Sequence, residues 1–309
     1  MTTTIALITG ANKGIGLETA RQLGAGGVTV LLGARDEERG LAAERGLRAG
    51  DADATFVRLD VTDPESVREA ADWIDKEHGR LDVLVNNAGI ARGPDTGGAA
   101  AQRGAPPSQT DLDAMRAIYE TNVFGVIAVT NAMLPLLRRS PAARIVNVSS
   151  ELGSVTSMTD PASPLSQFPA GLAYPSSKTA LNMITALYAR ELRDTPIKVN
   201  AANPGYTATD LNAHSGFRSV SEGAEASVYL ATLPADAPHG NLLGPPVGHR
   251  RPRQRLWHAS LVERFHDRED LYPHFGVKSL RDHGGCDGWG ARDEARGGWM
   301  AISMIAKGS

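Results

Sequence analysis

Tyr174 and Lys178 are the pair of side chains in this sequence whose types and spacing best support proton transfer. Four residues apart on a helix, the two side chains would lie on one face. Tyrosine is a poor acid with a pKa near ~10, and a neighbouring cation favours the phenolate and lowers that pKa. Such a tyrosine can give a proton to a carbonyl oxygen as hydride arrives, or take one from an alcohol in reverse. Taken alone, an ordinary helical pair is the better interpretation, so the hypothesis depends on the rest of the chain.

Ser149 and Ser150 directly follow the apolar run Arg144–Val148, where a strand would end. A serine hydroxyl at this place can hydrogen-bond the oxygen that Tyr174 protonates and stabilise the charge that develops on it. The residue types alone leave the choice between the two serines open.

A glycine-rich turn follows the first apolar run, Ile5–Thr9. Gly10, Gly14 and Gly16 allow the backbone to turn tightly and to approach a pyrophosphate at the N-terminus of the next helix. Such a turn is a weak signal by itself, and a plain strand-to-helix turn is the alternative. The strand before it, the helix after it and the strand beyond favour a dinucleotide cofactor.

Two cations near this turn indicate which dinucleotide is preferred. The second apolar run ends in Gly33-Ala34-Arg35-Asp36, and Lys13 lies within the glycine turn. Two cations can receive a 2′-phosphate, so the sequence favours NADP over NAD. Asp36 would suit a ribose hydroxyl, although at this position it can simply cap the next helix. For Arg35 the alternative is a solvated surface charge.

Apolar, β-branched runs alternate with helical patterns over the first 205 residues. Continuous apolar runs are typical of strands that are covered on both faces. The predicted strands are Ile5–Thr9, 28–32, 55–59, Val83–Asn86, Arg144–Val148 and 198–201, and the predicted helices are 15–23, Glu37–Arg48, Pro64–His78, Leu112–Leu137 and 173–192. The alternation predicts an α/β fold, a single doubly wound Rossmann-type parallel sheet with helices on both faces. Residues 91–109 and 153–171 are predicted to be long loops, which are often functional.

Further motifs follow the glycine turn in a fixed order. They are Asn86-Asn87-Ala88-Gly89 after the fourth strand, Asn122 in a helix, Ser149-Ser150 after the fifth strand, Tyr174-Pro-Ser-Ser-Lys178, and Asn203-Pro204-Gly205 after the sixth strand. Each motif alone is weak, but the ordered combination resembles the short-chain dehydrogenase/reductase family. The resemblance extends from about residue 4 to about residue 243.

The resemblance implies a role for each of these positions. The expected catalytic residues are Asn122, Ser150, Tyr174 and Lys178, with Ser150 chosen over Ser149. Lys178 also holds the nicotinamide ribose, and Asn122 positions a water that links Lys178 to solvent. The expected cofactor-binding residues are Gly10, Asn12, Lys13, Gly14, Ile15, Gly16, Arg35, Asp60, Val61, Asn87, Ala88, Gly89, Tyr174, Lys178, Pro204, Gly205 and Thr207.

Two of these cofactor contacts have structural alternatives. Asp60 matches the family residue that meets the adenine amino group, and its rival role is a capping or loop carboxylate. Thr207 matches the position that contacts the nicotinamide amide, and its rival role is a helix cap.

Within the family, the chain resembles the NADPH-dependent carbonyl reductases. This resemblance includes residues 32–40, 205–212 and 221–225, and the 23 residues between Ser150 and Tyr174, which are more than in the common tetrameric members. In carbonyl reductases such an insertion covers the helix face through which other members dimerise, so a monomer is expected rather than a homo-oligomer. The resemblance implies reversible, NADP(H)-dependent reduction of an aldehyde or ketone, with Tyr174 as the general acid/base.

Two other functions stay open. A secondary-metabolite ketoreductase or alcohol dehydrogenase would have the same fold and a different substrate pocket. A non-catalytic NADP-binding regulatory protein is an alternative of another class, which the intact set of four catalytic positions disfavours.

Composition excludes several classes of protein. The net charge of −3 excludes a strongly basic nucleic-acid binder, and one cysteine excludes an intrachain disulfide framework and fits a reducing compartment. No targeting segment is visible, and the most apolar window, residues 123–137, is shorter than the ~20 residues of a membrane-spanning helix. We therefore expect a cytoplasmic protein whose partner is a small-molecule carbonyl or alcohol, with no nucleic acid and no membrane.

The last 65 residues differ from the rest of the chain. Residues 245–309 carry five of the eight histidines, three of the four tryptophans and the single cysteine, Cys286. We predict a catalytic domain at residues 1–244, with cofactor and substrate in one domain, and an atypical C-terminal extension at 245–309. This tail can be a lineage-specific lid or interface, a largely disordered segment or an out-of-frame ending. Its histidines lack the paired spacing of metal ligands, so no metal is expected.

Overall fold

Eight strands form one sheet in the part of the chain that the structure describes. In this computed structural model, the described residues are 3–93, 106–169, 171–237, 239–244 and 257–260. The strands are β1 (Ile5–Thr9), β2 (Thr29–Ala34), β3 (Ala54–Arg58), β4 (Val83–Asn86), β5 (Arg144–Val148), β6 (Lys198–Ala202), β7 (Asn241–Gly244) and β8 (Trp257–Ser260). Their order across the sheet is β3-β2-β1-β4-β5-β6-β7-β8.

The strands β1 to β7 run parallel, and the predicted doubly wound parallel sheet is confirmed. The sequence does not predict β8, which lies in the tail and pairs antiparallel with β7. Its four residues, Trp-His-Ala-Ser, alternate apolar and polar, but a run this short does not stand out in the tail, so the pairing with β7 is what reveals it. The predicted domain boundary at 244 stays a prediction, because residues 245–256 and 261–309 lie outside the described residues, as do the tail histidines 249, 266, 274 and 283 and Cys286.

Helices cover both faces of the sheet, as the alternation predicts. They are α1 (Gly14–Ala25), α2 (Glu37–Arg48), α3 (Pro64–His78), α4 (Leu112–Tyr119), α5 (Gly125–Leu137), α6 (Val155–Thr159), α7 (Ala173–Glu191) and α8 (Val220–Ala231). Helices α3, α5 and α7 pack on one face, and α1, α2 and α8 pack on the other.

Successive residues of each strand point into the two different cores. In β1, Leu7 packs with the α3, α5 and α7 layer, whereas Ile8 packs with the α1, α2 and α8 layer. Both side chains are completely buried. Burying a leucine or isoleucine contributes roughly 1.5–3 kcal/mol, which is why both faces of the central strands must be apolar. The ends of these strands are thereby held rigidly.

Residues Leu112–Leu137, predicted as one helix, form α4, a π-helical turn at Glu120–Phe124 and α5. By length and composition this stretch is the one described helix that could cross a membrane, and half of its most apolar window is buried in the protein. Val129 and Met133 of α5 are completely buried in the core, as in the helices of globular proteins. Length and composition alone are therefore weak evidence for a membrane span.

The predicted loop 153–171 contains more regular structure than expected. It includes α6, which Ser154 caps by accepting a hydrogen bond from the Ser157 amide, and a 3₁₀ turn at Pro164–Gln167. Short helices of this kind have no apolar periodicity to reveal them, because they are held by caps and turns. Of the other predicted loop, 91–109, residues 94–105 lie outside the described residues.

Candidate active site

The turns after β1, β4, β5 and β6, which are adjacent in the sheet, carry many of the candidate residues. The segments that follow these strands carry the glycine turn, residues 87–89, Ser150 and Gly205. In open α/β sheets the ligand crevice lies outside these carboxyl ends, where the strand order reverses. The reversal here is between β1 and β4.

The glycine turn has the geometry of a phosphate cradle. Gly10 and Gly14 adopt left-handed backbone conformations, with φ of 63° and 57°. A Cβ on Gly16 would lie 2.3 Å from Asn87 Nδ2, so the backbone of α1 can approach β4 only because this residue is glycine. Asn12 and Ile15 are half-buried within the turn.

The N-terminus of α1 is free of a side-chain cap, unlike those of α2, α3 and α8. Asp36, Asp63 and Ser219 accept hydrogen bonds from first-turn amides of those three helices, whereas no side chain caps α1 at Lys13. Unpaired amides and the helix dipole make such an N-terminus an anion site. The residues present therefore fit the pyrophosphate of a dinucleotide.

Thr9 has a structural role that the sequence analysis did not assign. Its hydroxyl accepts hydrogen bonds from the amides of Asn87 and Ala88, at 3.0 and 2.9 Å. The Asn87 side chain donates in return to the carbonyl oxygens of Thr9 and Gly10. These bonds hold the turn after β4 against the glycine turn. A hydroxyl residue at the buried end of a strand is the signal that would have pointed to Thr9.

The two predicted 2′-phosphate cations differ in their surroundings. Arg35 is exposed at the end of β2 and makes no ion pair within the described part of the chain. Lys13 Nζ forms an ion pair with Asp210 Oδ2 at 2.7 Å, and both side chains are about half exposed. Asp36 caps α2 by accepting from the Arg39 amide, which is its proposed alternative role.

Asp60 and Val61 lie after β3, beside the helix that carries Asn122. Asp60 Oδ1 accepts hydrogen bonds from the amide and hydroxyl of Thr62, at 2.9 and 2.8 Å, so it forms a loop turn. Val61 packs on Gly125 at the start of α5, where an added Cβ would lie 2.9 Å from its side chain.

The turn after β6 is fixed by Asn203. Its side-chain oxygen accepts hydrogen bonds from the amides of Gly205 and Glu151, at 3.0 and 3.3 Å. Gly205 has a positive φ of 70°. Thr207 is buried, and its hydroxyl donates to the Pro204 carbonyl at 3.1 Å, so it does not cap a helix.

Asn122 is completely buried in the π-helical turn Glu120–Phe124. Its side chain accepts from the amide of Ile90 and donates to the carbonyl of Ile90, both at 2.8 Å. A Cβ on Gly89 would lie 3.3 Å from Asn122 Oδ1 and 3.7 Å from Lys178 Nζ. Asn122 and Lys178 therefore lie side by side, next to Gly89.

Ser150, Tyr174 and Lys178 also meet at this edge of the sheet. Lys178 Nζ lies 5.6 Å from the centroid of the Tyr174 ring and donates a hydrogen bond to the Val148 carbonyl at 2.8 Å. The side chains of Ser150 and Tyr174 form a hydrogen bond. The structure thus brings together all four predicted catalytic residues.

Burial determines the acidity of this pair. Burial raises the pKa of Tyr174 to about 12, and the hydrogen bond with Ser150 opposes that rise. Burial lowers the pKa of Lys178 to about 8. The expectation that the neighbouring cation lowers the pKa of Tyr174 is wrong for this structure, because desolvation penalises both charged forms. Tyr174 is therefore a neutral phenol at neutral pH, which is the form that donates a proton.

No group of three or more histidine, cysteine, aspartate or glutamate side chains suited to a metal ion occurs among the described residues. The site described above is built instead from hydroxyl, amide and ammonium groups. Those groups suit proton transfer and anion binding.

Comparisons with known proteins agree with this geometry. The family model described as short chain dehydrogenase matches residues 4–216. Short-chain dehydrogenase/reductase 1 of Saponaria officinalis is 38% identical over 282 residues, covering 76% of this chain and 92% of that protein. Carbonyl reductase (NADPH) 3 of Mus musculus is 36% identical over 276 residues, covering 77% of this chain and 95% of that protein.

Solved structures give the same result. Salutaridine reductase from Papaver somniferum matches with a TM-score of 0.65 and 31% identity, covering 77% of this chain and 99% of that one. These relatives are matched over nearly their whole length, whereas about a quarter of this chain has no counterpart in them.

Proposed function

The chain belongs to the short chain dehydrogenase family, and we propose that it reduces an aldehyde or ketone to the alcohol with NADPH. The observation that carries this proposal is the meeting of Ser150, Tyr174 and Lys178 beside the uncapped N-terminus of α1. The likeness to carbonyl reductase (NADPH) 3 of Mus musculus supports the same cofactor and reaction type.

When bound, NADPH supplies the hydride. Tyr174, neutral because its pKa is raised to about 12, gives its phenolic proton to the carbonyl oxygen. Ser150, hydrogen-bonded to Tyr174, donates to the same oxygen and stabilises its developing charge. Oxidation of the alcohol, the reverse of this reversible reaction, needs Tyr174 as the phenolate, which burial disfavours at neutral pH.

The cofactor would be held by the residues that the sequence analysis names. The pyrophosphate lies against Gly10, Asn12, Gly14, Ile15 and Gly16, and Lys13 and Arg35 bind the 2′-phosphate. Lys178 holds the nicotinamide ribose, and Asn122 positions the water that returns the proton. The other contacts are Asp60, Val61, Asn87, Ala88, Gly89, Pro204, Gly205 and Thr207. All of these residues belong to the proposed catalytic domain, 1–244.

Cofactor and reaction are tested together with purified full-length protein. NADPH fluorescence gives the Kd for NADPH and for NADH, and loss of NADPH absorbance with a panel of aldehydes and ketones gives turnover. We expect tighter binding of NADPH than of NADH and turnover with at least one carbonyl. Tight NADPH binding without turnover on any carbonyl or alcohol would instead support the regulatory alternative.

A secondary-metabolite ketoreductase is the second candidate, favoured by the 31% identity to salutaridine reductase over 99% of that chain. Both candidates share the cofactor site and the four catalytic positions, so the substrate panel separates them. Reduction of salutaridine in preference to small aldehydes would favour the second.

We also propose a cytoplasmic monomer that has no nucleic-acid or membrane partner. The net charge of −3 supports the absence of nucleic acid. Met183 and Leu187 are exposed on α7, the helix of Tyr174, and exposed apolar side chains are where a second copy of the chain can pack. Light scattering at high protein concentration therefore tests whether the protein is a monomer.

A further inference from the structure

Asn182 joins both ends of the short segment that carries Ser150. Its side-chain oxygen accepts a hydrogen bond from Ser149 Oγ at 2.6 Å, and its Nδ2 donates to the Gly153 carbonyl at 3.3 Å. Ser150 lies between these two points of attachment. One amide group therefore fixes the segment 149–153 to α7.

This contact is buried and close. Asn182 and Ser149 are 8% and 2% exposed, so little water competes for their hydrogen bonds. A Cβ on Gly153 would lie 2.7 Å from the carbonyl carbon of Lys178 and 2.9 Å from Asn182 Nδ2. The segment can lie this close to α7 only because residue 153 is glycine.

Asn182 belongs to the same helix face as the proton donor. Tyr174, Lys178 and Asn182 are spaced four residues apart on α7, so their side chains follow one another along one side of the helix. Besides the hydrogen bond between Ser150 and Tyr174, the segment is bonded to the β6 side, from the Ser149 amide to the Ala202 carbonyl and from the Glu151 amide to Asn203. Asn182 thus attaches both ends of the segment to the helix of Tyr174, while Tyr174 itself contacts Ser150 between them.

We propose that Asn182 is a positioning residue, which holds Ser150 where its hydroxyl and that of Tyr174 reach the same substrate oxygen. The catalytic part of this inference rests on the proposed function. A donor aimed at a developing oxyanion loses its effect when it shifts by a fraction of an ångström to an ångström. Asn182 contacts neither substrate nor cofactor in this account, and it acts through Ser150.

The first test compares Asn182→Ala with a matched control, Thr185→Val. Thr185 is also buried on α7, and its hydroxyl accepts from Asn147 Nδ2 at 2.8 Å and donates to the Leu181 carbonyl, so its bonds lead away from the segment 149–153. We expect Asn182→Ala to lower kcat for carbonyl reduction about 10- to 100-fold, part of what loss of an oxyanion donor costs, with the Kd for NADPH unchanged. Thr185→Val should keep kcat near that of the wild type. Equal kcat losses in the two variants would overturn the proposal.

A double-mutant cycle with Ser150→Ala then asks whether Asn182 acts through Ser150. If it does, Asn182→Ala costs little further activity once the Ser150 hydroxyl is absent. The same fold loss in both backgrounds would mean a general structural role and would overturn the proposal. If Asn182→Ala does not fold, Ser149→Ala removes one of the two bonds and enters the same cycle with the same expected outcomes.

Hydrogen exchange gives a readout that is independent of turnover. The amides of Leu152 and Gly153 should exchange faster in Asn182→Ala than in the wild type, and should be unchanged in Thr185→Val. Unchanged exchange in Asn182→Ala overturns the positioning role even if the enzyme is active. If no carbonyl is reduced by the wild type, the proposed function fails, while faster exchange still supports the attachment of segment 149–153 by Asn182.

Discussion

Removal of the Tyr174 hydroxyl separates proton transfer from cofactor binding. General acid catalysis contributes about 10²–10⁴-fold, so Tyr174→Phe should lower kcat for carbonyl reduction by that order, with NADPH affinity nearly unchanged. Tyr188→Phe is the matched control, because Tyr188 lies on the same helix and its hydroxyl donates to Asn131 at 2.7 Å, away from the site. Comparable losses of kcat in the two variants would contradict the assignment of Tyr174.

The buried ammonium of Lys178 makes stability depend on pH. Its pKa is lowered from 10.5 to about 8, so between these values the unfolded chain binds a proton that the folded protein does not. Its contribution to the free energy of unfolding therefore rises with pH above about 8, by up to about 1.4 kcal/mol per pH unit, and is constant below. Tyr174, with a pKa raised to about 12, acts in the opposite sense only above about pH 10.

The measurement is denaturant unfolding of the wild type and of Lys178→Met between pH 7 and about 9.5. The difference in unfolding free energy between the two proteins should be flat near pH 7 and should shift in favour of the wild type above about pH 8. A difference that stays constant over the whole range would show that the folded-state pKa of Lys178 is not lowered.

If Lys13 binds the 2′-phosphate as proposed, Asp210 competes with that phosphate for the Lys13 ammonium. The ion pair is exposed, so it contributes little to stability, and its removal frees the ammonium for the 2′-phosphate. We expect Asp210→Asn to tighten NADPH binding by up to about fivefold at low salt and to leave NADH binding unchanged. Fluorescence titration of both cofactors measures this, and equal changes for NADPH and NADH would assign Lys13 to a part that the cofactors share.

At the scale of elements, the glycine turn gives the sharpest mutational contrast. A Cβ at Gly16 meets Asn87 Nδ2 at 2.3 Å and the Gly10 carbonyl at 2.6 Å, so Gly16→Ala must displace α1 from the turn. We expect NADPH affinity to fall about tenfold or more and stability to fall by about 1–3 kcal/mol, as for other overpacked sites. Gly46 on α2 has no atom within 4 Å of an added Cβ.

Gly46→Ala is therefore the matched control. It should leave the Kd for NADPH unchanged and raise stability by up to about 1 kcal/mol, because alanine favours a helix more than glycine does. Fluorescence titration and thermal unfolding measure both effects. Tight NADPH binding by Gly16→Ala would contradict the close packing of α1 on β4.

Elements were predictable where periodicity alone determines them. The bounds of α2, α3, β1, β4 and β5 agree with the sequence patterns, because both cores impose regular burial on them. The π-helical turn Glu120–Phe124 was not predictable, because its extra residue per turn is stabilised by contacts such as those between Asn122 and Ile90. A pattern of apolar residues does not record such contacts.

At the scale of the whole molecule, motif order was enough to predict which side chains meet. Motif order could not predict how burial changes the pKa values of those side chains. The pKa of Tyr174 rises because tertiary packing removes water from it, and neighbours in the sequence do not report that packing. Likewise, Lys13 and Asp210 are 197 residues apart, and only the folded sheet brings them together.

The tail can be tested as a unit, because every residue proposed to bind cofactor or to catalyse lies between Gly10 and Thr207. A chain shortened after Ser260 retains all eight described strands. We expect it to bind NADPH with a Kd close to that of the full chain, since the Rossmann-type sheet and the glycine turn are intact. Its KM values across the carbonyl panel measure whether residues 261–309 shape the substrate pocket. Loss of NADPH binding in a folded, shortened chain would contradict the proposed confinement of the cofactor site to residues 1–244.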